Sequence, residues 1–118
     1  MNVVVSGSRT ITDTEFIESK LSELFGSLKF DTLLVGCARG VDTIAKDWAI
    51  KNKVEFSFFR ADWKRYGPKA GPMRNQEMVE QADMLIAFCT NKESRGTEST
   101  IRMARKKNIP SVVYYIKD

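Results

Sequence analysis

Short apolar runs alternate along this chain with segments whose apolar residues recur at the spacing of an amphipathic helix. The runs predict strands at residues 3–5, 32–35, 54–59, 84–88 and 111–116. The segments between them predict helices at residues 13–28, 41–49, 73–82 and 97–107. Strands that alternate with helices from end to end are typical of a parallel α/β sheet.

Two local signals refine this pattern. Residues 12–15 fit a capping box, in which the Thr12 hydroxyl caps the first helix and Glu15 returns the bond. Residues 63–72 are rich in glycine and proline and predict an irregular loop. Trp63 and Tyr66 in this loop either stack on a bound base or cover the core, and both interpretations stay open.

The expected fold is α/β, a single Rossmann-like three-layer domain over residues 1–118, because this length leaves no room for a second independent core. Right-handed crossovers favour a five-stranded, mainly parallel sheet in the order 3-2-1-4-5. In that order the direction of winding reverses between the first and fourth strands. A crevice is therefore expected at the carboxyl ends of these strands.

The net charge of +4 is unevenly placed. Residues 1–59 carry 7 basic and 8 acidic side chains, whereas residues 60–118 carry 12 and 7. This excess favours an anionic ligand, either a phosphate-bearing small molecule or a nucleic acid. Part of this excess positive charge lies late in the last predicted helix, where cations interact favourably with the helix dipole. A stabilising role for solvated side chains is therefore expected there. The residues are Arg102, Arg105, Lys106 and Lys107.

The chain has no histidine, which excludes a His-based catalytic triad, and its two cysteines are too few for a structural zinc site. We therefore expect no metal and no cofactor. Cys37 and Cys89 end strands that are separated by a third strand, so both are predicted to be free thiols. No apolar run reaches the roughly 20 residues of a membrane-spanning helix. A cytoplasmic location without a membrane partner is expected.

Three polar, glycine-containing turns follow the first, second and fourth strands, at residues 6–9, 36–42 and 94–100. In the favoured strand order they share one rim. Glycine allows a ligand to approach the backbone closely, and a helix N-terminus offers free N–H groups. A fourth segment, residues 71–75, places Arg74 in the first turn of a predicted helix, where a cation is unfavourable unless it meets an anion or a carboxylate.

Together these segments resemble the SLOG superfamily, and within it the short YspA-like branch often encoded by bacteria and their phages. The resemblance covers nearly the whole chain and rests on SGSR at 6–9, GCARGVD at 36–42, AGPMRN at 70–75, AD at 82–83 and GT at 96–97. It implies a Rossmann-like fold with a nucleotide-type ligand at the strand carboxyl ends. Relatives include Lonely Guy nucleotide hydrolases, sensors of ADP-ribose-type signals in antiphage defence, and DNA-processing protein A, which acts on single-stranded DNA.

The resemblance to Lonely Guy enzymes places Arg74 at their catalytic arginine and Gly96 with Thr97 at the end of their glycine-rich loop. Two positions differ. Glu93 and Ser94 replace the paired glycines, and Thr100 replaces the catalytic glutamate. Glu98 lies two residues away, which on a helix is a rotation of about 200°. Loss of the carboxylate weakens the case for glycosidic cleavage and leaves the case for binding intact.

Asp42 is expected either to cap the second helix or to hold a ribose hydroxyl. The interpretation we adopt is a module that binds a nucleotide or ADP-ribose-like ligand, as a sensor or sequestering protein in conflict between phages and bacteria. The alternatives are a nucleoside-monophosphate N-glycosidase that uses Arg74 with Glu98 or Glu77, and a single-stranded DNA binder. An apolar outer strand at residues 112–115 makes a homo-oligomer plausible. The expected ligand-binding residues are Gly7, Ser8, Arg9, Gly36, Arg39, Gly40, Asp42, Gly71, Arg74, Asn75, Gly96 and Thr97.

Overall fold

The computed structural model describes residues 1–90 and 95–116, with only the backbone of Arg95. Its five parallel strands form one sheet in the order β3-β2-β1-β4-β5. This confirms the predicted strand order, and every pairing is parallel. The register places Val4 of β1 between Leu34 of β2 and Leu85 of β4. The strands are β1 (Asn2–Gly7), β2 (Thr32–Gly36), β3 (Glu55–Phe59), β4 (Met84–Thr90) and β5 (Ser111–Ile116).

Helices cover both faces of the sheet. Side chains alternate along a strand, so Val3 and Val5 of β1 face one helical layer and Val4 faces the other. The first layer contains α1 and α2, and Trp48 of α2 is buried there with its indole N–H donating to Ser22 Oγ at 2.8 Å. The second layer contains α4 and α5, which pack Met78 and Ala104 against the sheet. The helices are α1 (Thr14–Leu28), α2 (Val41–Lys51), α3 (Trp63–Tyr66), α4 (Ala70–Gln81) and α5 (Arg95–Lys107).

The structure corrects two local predictions. Helix α1 is capped by Asp13, whose carboxylate accepts from the Phe16 N–H at 3.1 Å, and not by Thr12. Residues 63–72 are helical: α3 is followed by a 3-10 turn (Gly67–Lys69) and then directly by α4. Pro72 does not prevent this because the N–H groups of a helix's first turn have no partner within the helix. Arg74 therefore lies in the second turn of α4 and not in the first.

Lys107 at the end of α5 has a structural role that differs from the solvated one expected. Its ammonium donates to the carbonyls of Val79, Glu80 and Ala82 at 3.0, 2.7 and 2.9 Å. These carbonyls lie at the C-terminus of α4, where a cation is favourable and the last carbonyls have no partner within the helix. Lys107 therefore ties the two helices of the second layer together. Within residues 1–90 and 95–116, no helix is long and apolar enough to span a membrane.

Candidate functional site

A cavity of about 310 Å³ lies where β1 ends, between the first turns of α2 and α5 and the second turn of α4. We call it the central cavity. Eight of the twelve predicted ligand-binding residues line it: Gly7, Ser8, Arg9, Asp42, Arg74, Asn75, Gly96 and Thr97. Val5, Ser6, Ala38 and Met78 are the other described residues that line it. The structure thus brings together the turn after β1, the start of α2, the α4 segment and the start of α5, as a shared rim requires.

The other four predicted residues lie outside this lining. Arg39 lines a neighbouring cavity, and Gly36 lines a third one beside it. Gly40 has φ +77°, and a Cβ there would lie 2.7 Å from the carbonyl oxygens of Ser8 and Arg9. Gly71 packs under Trp63, since a Cβ would lie 2.9 Å from the end of the indole ring. Both glycines are therefore explained by close packing.

Gly7 and Gly36 are also sites of close approach. A Cβ on Gly7 would come within 2.4 Å of the Val41 side chain, so this glycine lets the start of α2 lie against β1. A Cβ on Gly36 would lie 2.7 Å from the Arg74 guanidinium and 2.8 Å from Asp42 Oδ2. Both charged groups thus occupy the space above the end of β2 because residue 36 has no side chain.

Asp42 is the buried carboxyl group of the central cavity, with 8% of its surface exposed. Its Oδ2 accepts from the Ala38 N–H at 3.1 Å, whereas α2 is capped by Gly40 without a side-chain bond. The prediction that Asp42 caps α2 is therefore wrong. Burial raises the pKa of Asp42 to about 6, against the Ala38 hydrogen bond and the positive charges of Arg74 and Arg9, which lower it.

Arg74 is positioned by its neighbour in α4. Its Nε donates to Asn75 Oδ1 at 2.8 Å, and Asn75 is itself 7% exposed. Arg74 and Asp42 both contact the space above Gly36, yet they form no ion pair within 4.0 Å, and neither does Arg9 with any described residue. Among the described residues, neither of these two guanidinium groups therefore has a carboxylate within 4.0 Å.

Thr97 in the first turn of α5 is 4% exposed, lines the central cavity, and has no hydrogen-bond partner for its hydroxyl among the described residues. One turn later Thr100 is fully buried, and its hydroxyl donates to the Gly96 carbonyl at 2.9 Å. Thr100 is thus bonded within its own helix. Glu93 and Ser94, as well as the side chain of Arg95, lie outside the described residues.

Glu98, the carboxylate named for the enzymatic alternative, is exposed and does not line the central cavity. It lies close enough to Cys89 to raise the pKa of that thiol, as a smaller contribution after burial. Cys37 is exposed and Cys89 buried, and both are free thiols as predicted. The described residues contain no cluster of three or more side chains that could hold a metal ion.

Sequence reasoning missed Arg60. This residue follows β3 and joins Arg39 and Trp63 in the cavity next to the central one. The signal was present, because Arg60 comes directly after a strand and the carboxyl ends of parallel strands meet at one edge of the sheet. It was overlooked because no glycine or hydroxyl residue accompanies it.

The parallel sheet, its strand order and a polar cavity at the strand carboxyl ends define a Rossmann-like α/β domain. The chain belongs to the YspA, cpYpsA-related SLOG family (YAcAr), whose model matches residues 1–66. This confirms the predicted family. The match includes the turns after β1 and β2, and the cavity residues of α4 and α5 lie beyond it.

Two similar proteins align with most of the chain. The Gene 61 protein of Mycobacterium phage D29 is 36% identical over 117 residues, with 93% of each chain covered. The X-ray structure of DNA processing protein A (DprA) from Streptococcus pneumoniae has a TM-score of 0.59 and 15% identity. That match covers 94% of this chain and 58% of DprA, so this chain spans little more than half of that structure. At this identity the likeness to DprA shows the fold.

Proposed function

We propose that this protein binds a nucleotide or nucleotide-derived ligand of the ADP-ribose type in the central cavity. The observation that carries the proposal is the convergence on one cavity of the first turn of α5 and two arginines, Arg9 and Arg74, which form no ion pair with any described residue. Unpaired guanidinium groups and the free N–H groups of a helix N-terminus are the features that recognise phosphate.

The Thr97 hydroxyl supports a ligand at the start of α5. A buried hydroxyl without a partner costs free energy, about 1–3 kcal/mol in proteins, unless water or a ligand satisfies it. Thr97 is buried, no described residue bonds to its hydroxyl, and Gly96 beside it has no described atom within 4 Å of the place that a Cβ would take. A phosphate oxygen here would accept from the hydroxyl and from the backbone.

Asp42 and Asn75 supply the polar groups for a sugar. The Asn75 Oδ1 is already used by Arg74, which leaves its NH₂ group to donate, while Asp42 has a second oxygen that can accept. A ribose carries hydroxyls that both donate and accept. The central cavity therefore offers cations for a phosphate and a mixed donor and acceptor pair for the adjoining ribose.

Calorimetry with AMP, ADP-ribose and NAD tests the proposal. Arg9→Gln removes one unpaired cation from an exposed side chain without a described hydrogen bond, and Thr97→Val removes only the hydroxyl. Loss of a charged hydrogen bond should weaken phosphate ligands by about tenfold or more. Arg105→Gln on α5 is the matched control, since it removes the same charge from an exposed residue outside the cavity.

Saturable binding that both cavity variants weaken and the control preserves would support the proposal. Absence of binding by all three nucleotides would overturn it. If only oligonucleotides bound, with a steep dependence on salt, the function would be single-stranded DNA binding instead.

One observation favours a second candidate, hydrolysis of an N-glycosidic bond: a carboxyl group, Asp42, lines the cavity near Arg74 and has a pKa of about 6. In this reaction water adds to the ribose C1′ as the bond to the base breaks, and the base leaves with a proton. Asp42 would supply the carboxyl in place of Glu98. Chromatography for free adenine after incubation with AMP tests it, with Asp42→Asn as the variant that should abolish release.

A further inference from the structure

We infer that a second anion-binding subsite adjoins the central cavity and that the protein's ligand is a nucleoside diphosphate derivative with a second ring system, and not a mononucleotide. The subsite, here called the annex, is a cavity of about 350 Å³ that shares Arg9, Ala38 and Arg74 with the central cavity. Arg39, Arg60 and Trp63 are among its other walls. The inference rests on the proposed function.

The annex concentrates positive charge. Arg9, Arg39, Arg60 and Arg74 all line it, and none of the four forms an ion pair in the part of the chain that the structure describes. Only the Arg74 guanidinium makes a hydrogen bond there, to Asn75. Like charges gathered around one cleft repel one another and draw anions to it. Asp42 lines the central cavity but not the annex, so no described carboxylate lies in the wall of the annex.

Trp63 gives the annex an aromatic wall. Asp62 caps α3 by accepting from the Arg65 N–H at 3.1 Å, and this fixes the short helix that carries Trp63. The end of the indole ring lies against Gly71 of α4. Half of the Trp63 surface nevertheless stays exposed, at 50%. A supported and exposed indole that lines a cationic cleft is suited to stacking on a planar ring.

Cavity size supports a ligand that occupies both parts. Sites for small molecules and cofactors occupy about 300–1,000 Å³, and the central cavity alone lies at the lower end of that range. The annex is about as large again, and Arg9 and Arg74 line both cavities. A diphosphate bridging these arginines would place one nucleoside in the central cavity and its second ring beside Trp63.

The decisive experiment compares AMP with ADP-ribose by calorimetry at constant ionic strength. The proteins are the wild type, Arg60→Gln, Trp63→Leu and the control Arg105→Gln. ADP-ribose should bind the wild type more tightly than AMP does. Arg60→Gln should weaken ADP-ribose by about tenfold or more while changing AMP less than about twofold. Trp63→Leu should weaken it by about fivefold or more, and the control should change neither ligand.

Alkylation of Cys37 provides a second measurement that needs no variant. This exposed thiol lines the annex but not the central cavity. Saturating ADP-ribose should slow its reaction with iodoacetamide at least threefold, whereas saturating AMP should not.

The outcomes separate this inference from the proposed function. Suppose that AMP binds, that ADP-ribose binds no more tightly, and that Arg60→Gln changes neither affinity. In that case the annex inference fails and the proposed function stands. If no nucleotide binds, both fail. If affinity instead rises with the length of a single-stranded oligonucleotide and depends on Arg60, the annex holds nucleic acid and the small-ligand inference is overturned.

Discussion

Replacing Asp42 by asparagine should make the protein more stable at neutral pH. Asp42 is 8% exposed, and its burial raises its pKa from the ordinary value of 3.8 to about 6. The Ala38 N–H and the positive charges of Arg74 and Arg9 act in the opposite direction and do not cancel this effect. An asparagine keeps an oxygen that can accept from Ala38 and carries no charge to desolvate.

The sign of the pH dependence follows from the raised pKa. Well below pH 3.8 the carboxyl group is protonated in both the folded and the unfolded chain, and burying it costs no ionisation energy. As the pH rises, the unfolded chain ionises first, so the favourable difference is lost by the time the pH exceeds the folded pKa of about 6. A pKa raised by about 2, at about 1.36 kcal/mol each, corresponds to about 3 kcal/mol.

Urea unfolding of the wild type and Asp42→Asn at pH 4 to 8 measures this cost. The two proteins should have similar free energies of unfolding near pH 4, and the variant should be more stable by up to about 3 kcal/mol at pH 8. Asp47→Asn makes the same chemical change on an exposed residue of the same helix, and its effect should vary by less than about 1 kcal/mol across that range. A wild-type to Asp42→Asn difference that does not change with pH, or that grows towards acid pH, would refute the reasoning.

Three further results are expected. Gly40→Ala should lower the free energy of unfolding in urea by at least about 1–2 kcal/mol, because of its positive φ and the two carbonyl oxygens near the added Cβ. Gly96→Ala, with no described atom near its Cβ, should be neutral or stabilising in the same assay and should weaken the binding of AMP. Equal losses of stability in the two variants would contradict this. Lys107→Met should lower the free energy of unfolding by about 1.5–3 kcal/mol, since it removes three charged hydrogen bonds, and an unchanged urea midpoint would exclude that role. Iodoacetamide followed by mass spectrometry should modify exposed Cys37 well before Cys89, whose burial raises its thiol pKa, and equal rates would disprove the placement.

The strand order could be predicted from the sequence because each strand is a short apolar run with a helical segment behind it. Crossover handedness then leaves few topologies. The segment at residues 63–72 could not be predicted in the same way. Gly67, Pro68, Gly71 and Pro72 are typical of turns, yet here they fall at the ends and first turns of short helices, where glycine and proline are tolerated. Local composition does not distinguish these two cases.

The residues around the candidate site were predicted because they follow the carboxyl ends of strands. Where the strands end relative to one another depends only on the topology of the sheet. Side-chain roles depend on contacts between distant segments. Arg74 reaches the space above Gly36 from a helix more than thirty residues away. Arg60 reaches the annex because β3 lies beside β2 in the sheet. None of these contacts can be recognised from the local sequence pattern.

Glycine at a predicted ligand turn has two explanations, and the structure separates them. Gly7, Gly40 and Gly71 each lie where a Cβ would clash with another part of the protein, so their substitution would disturb folding whether or not a ligand binds. A Cβ on Gly36 would displace the ends of the Arg74 and Asp42 side chains, which line the central cavity. Gly96 lies where a Cβ would meet no described atom, so the described residues give no reason for its substitution to lower stability, and a loss of binding there points to the ligand. A loss of binding in any of the first four variants is therefore uninformative without a stability measurement.

The same groups that would bind the ligand also affect the stability of the fold. Asp42 is buried at the expense of a raised pKa, and Arg9 and Arg74 lack carboxylate partners among the described residues. Arg74 and Asp42 approach each other above Gly36 without forming an ion pair, which leaves the guanidinium available to an anion in the cavity. If the cavity were only a gap in packing, Asp42→Asn would raise stability and leave nucleotide affinity unchanged. Under the proposed function it should raise stability and weaken ribose-containing ligands together, because one carboxylate is responsible for both effects.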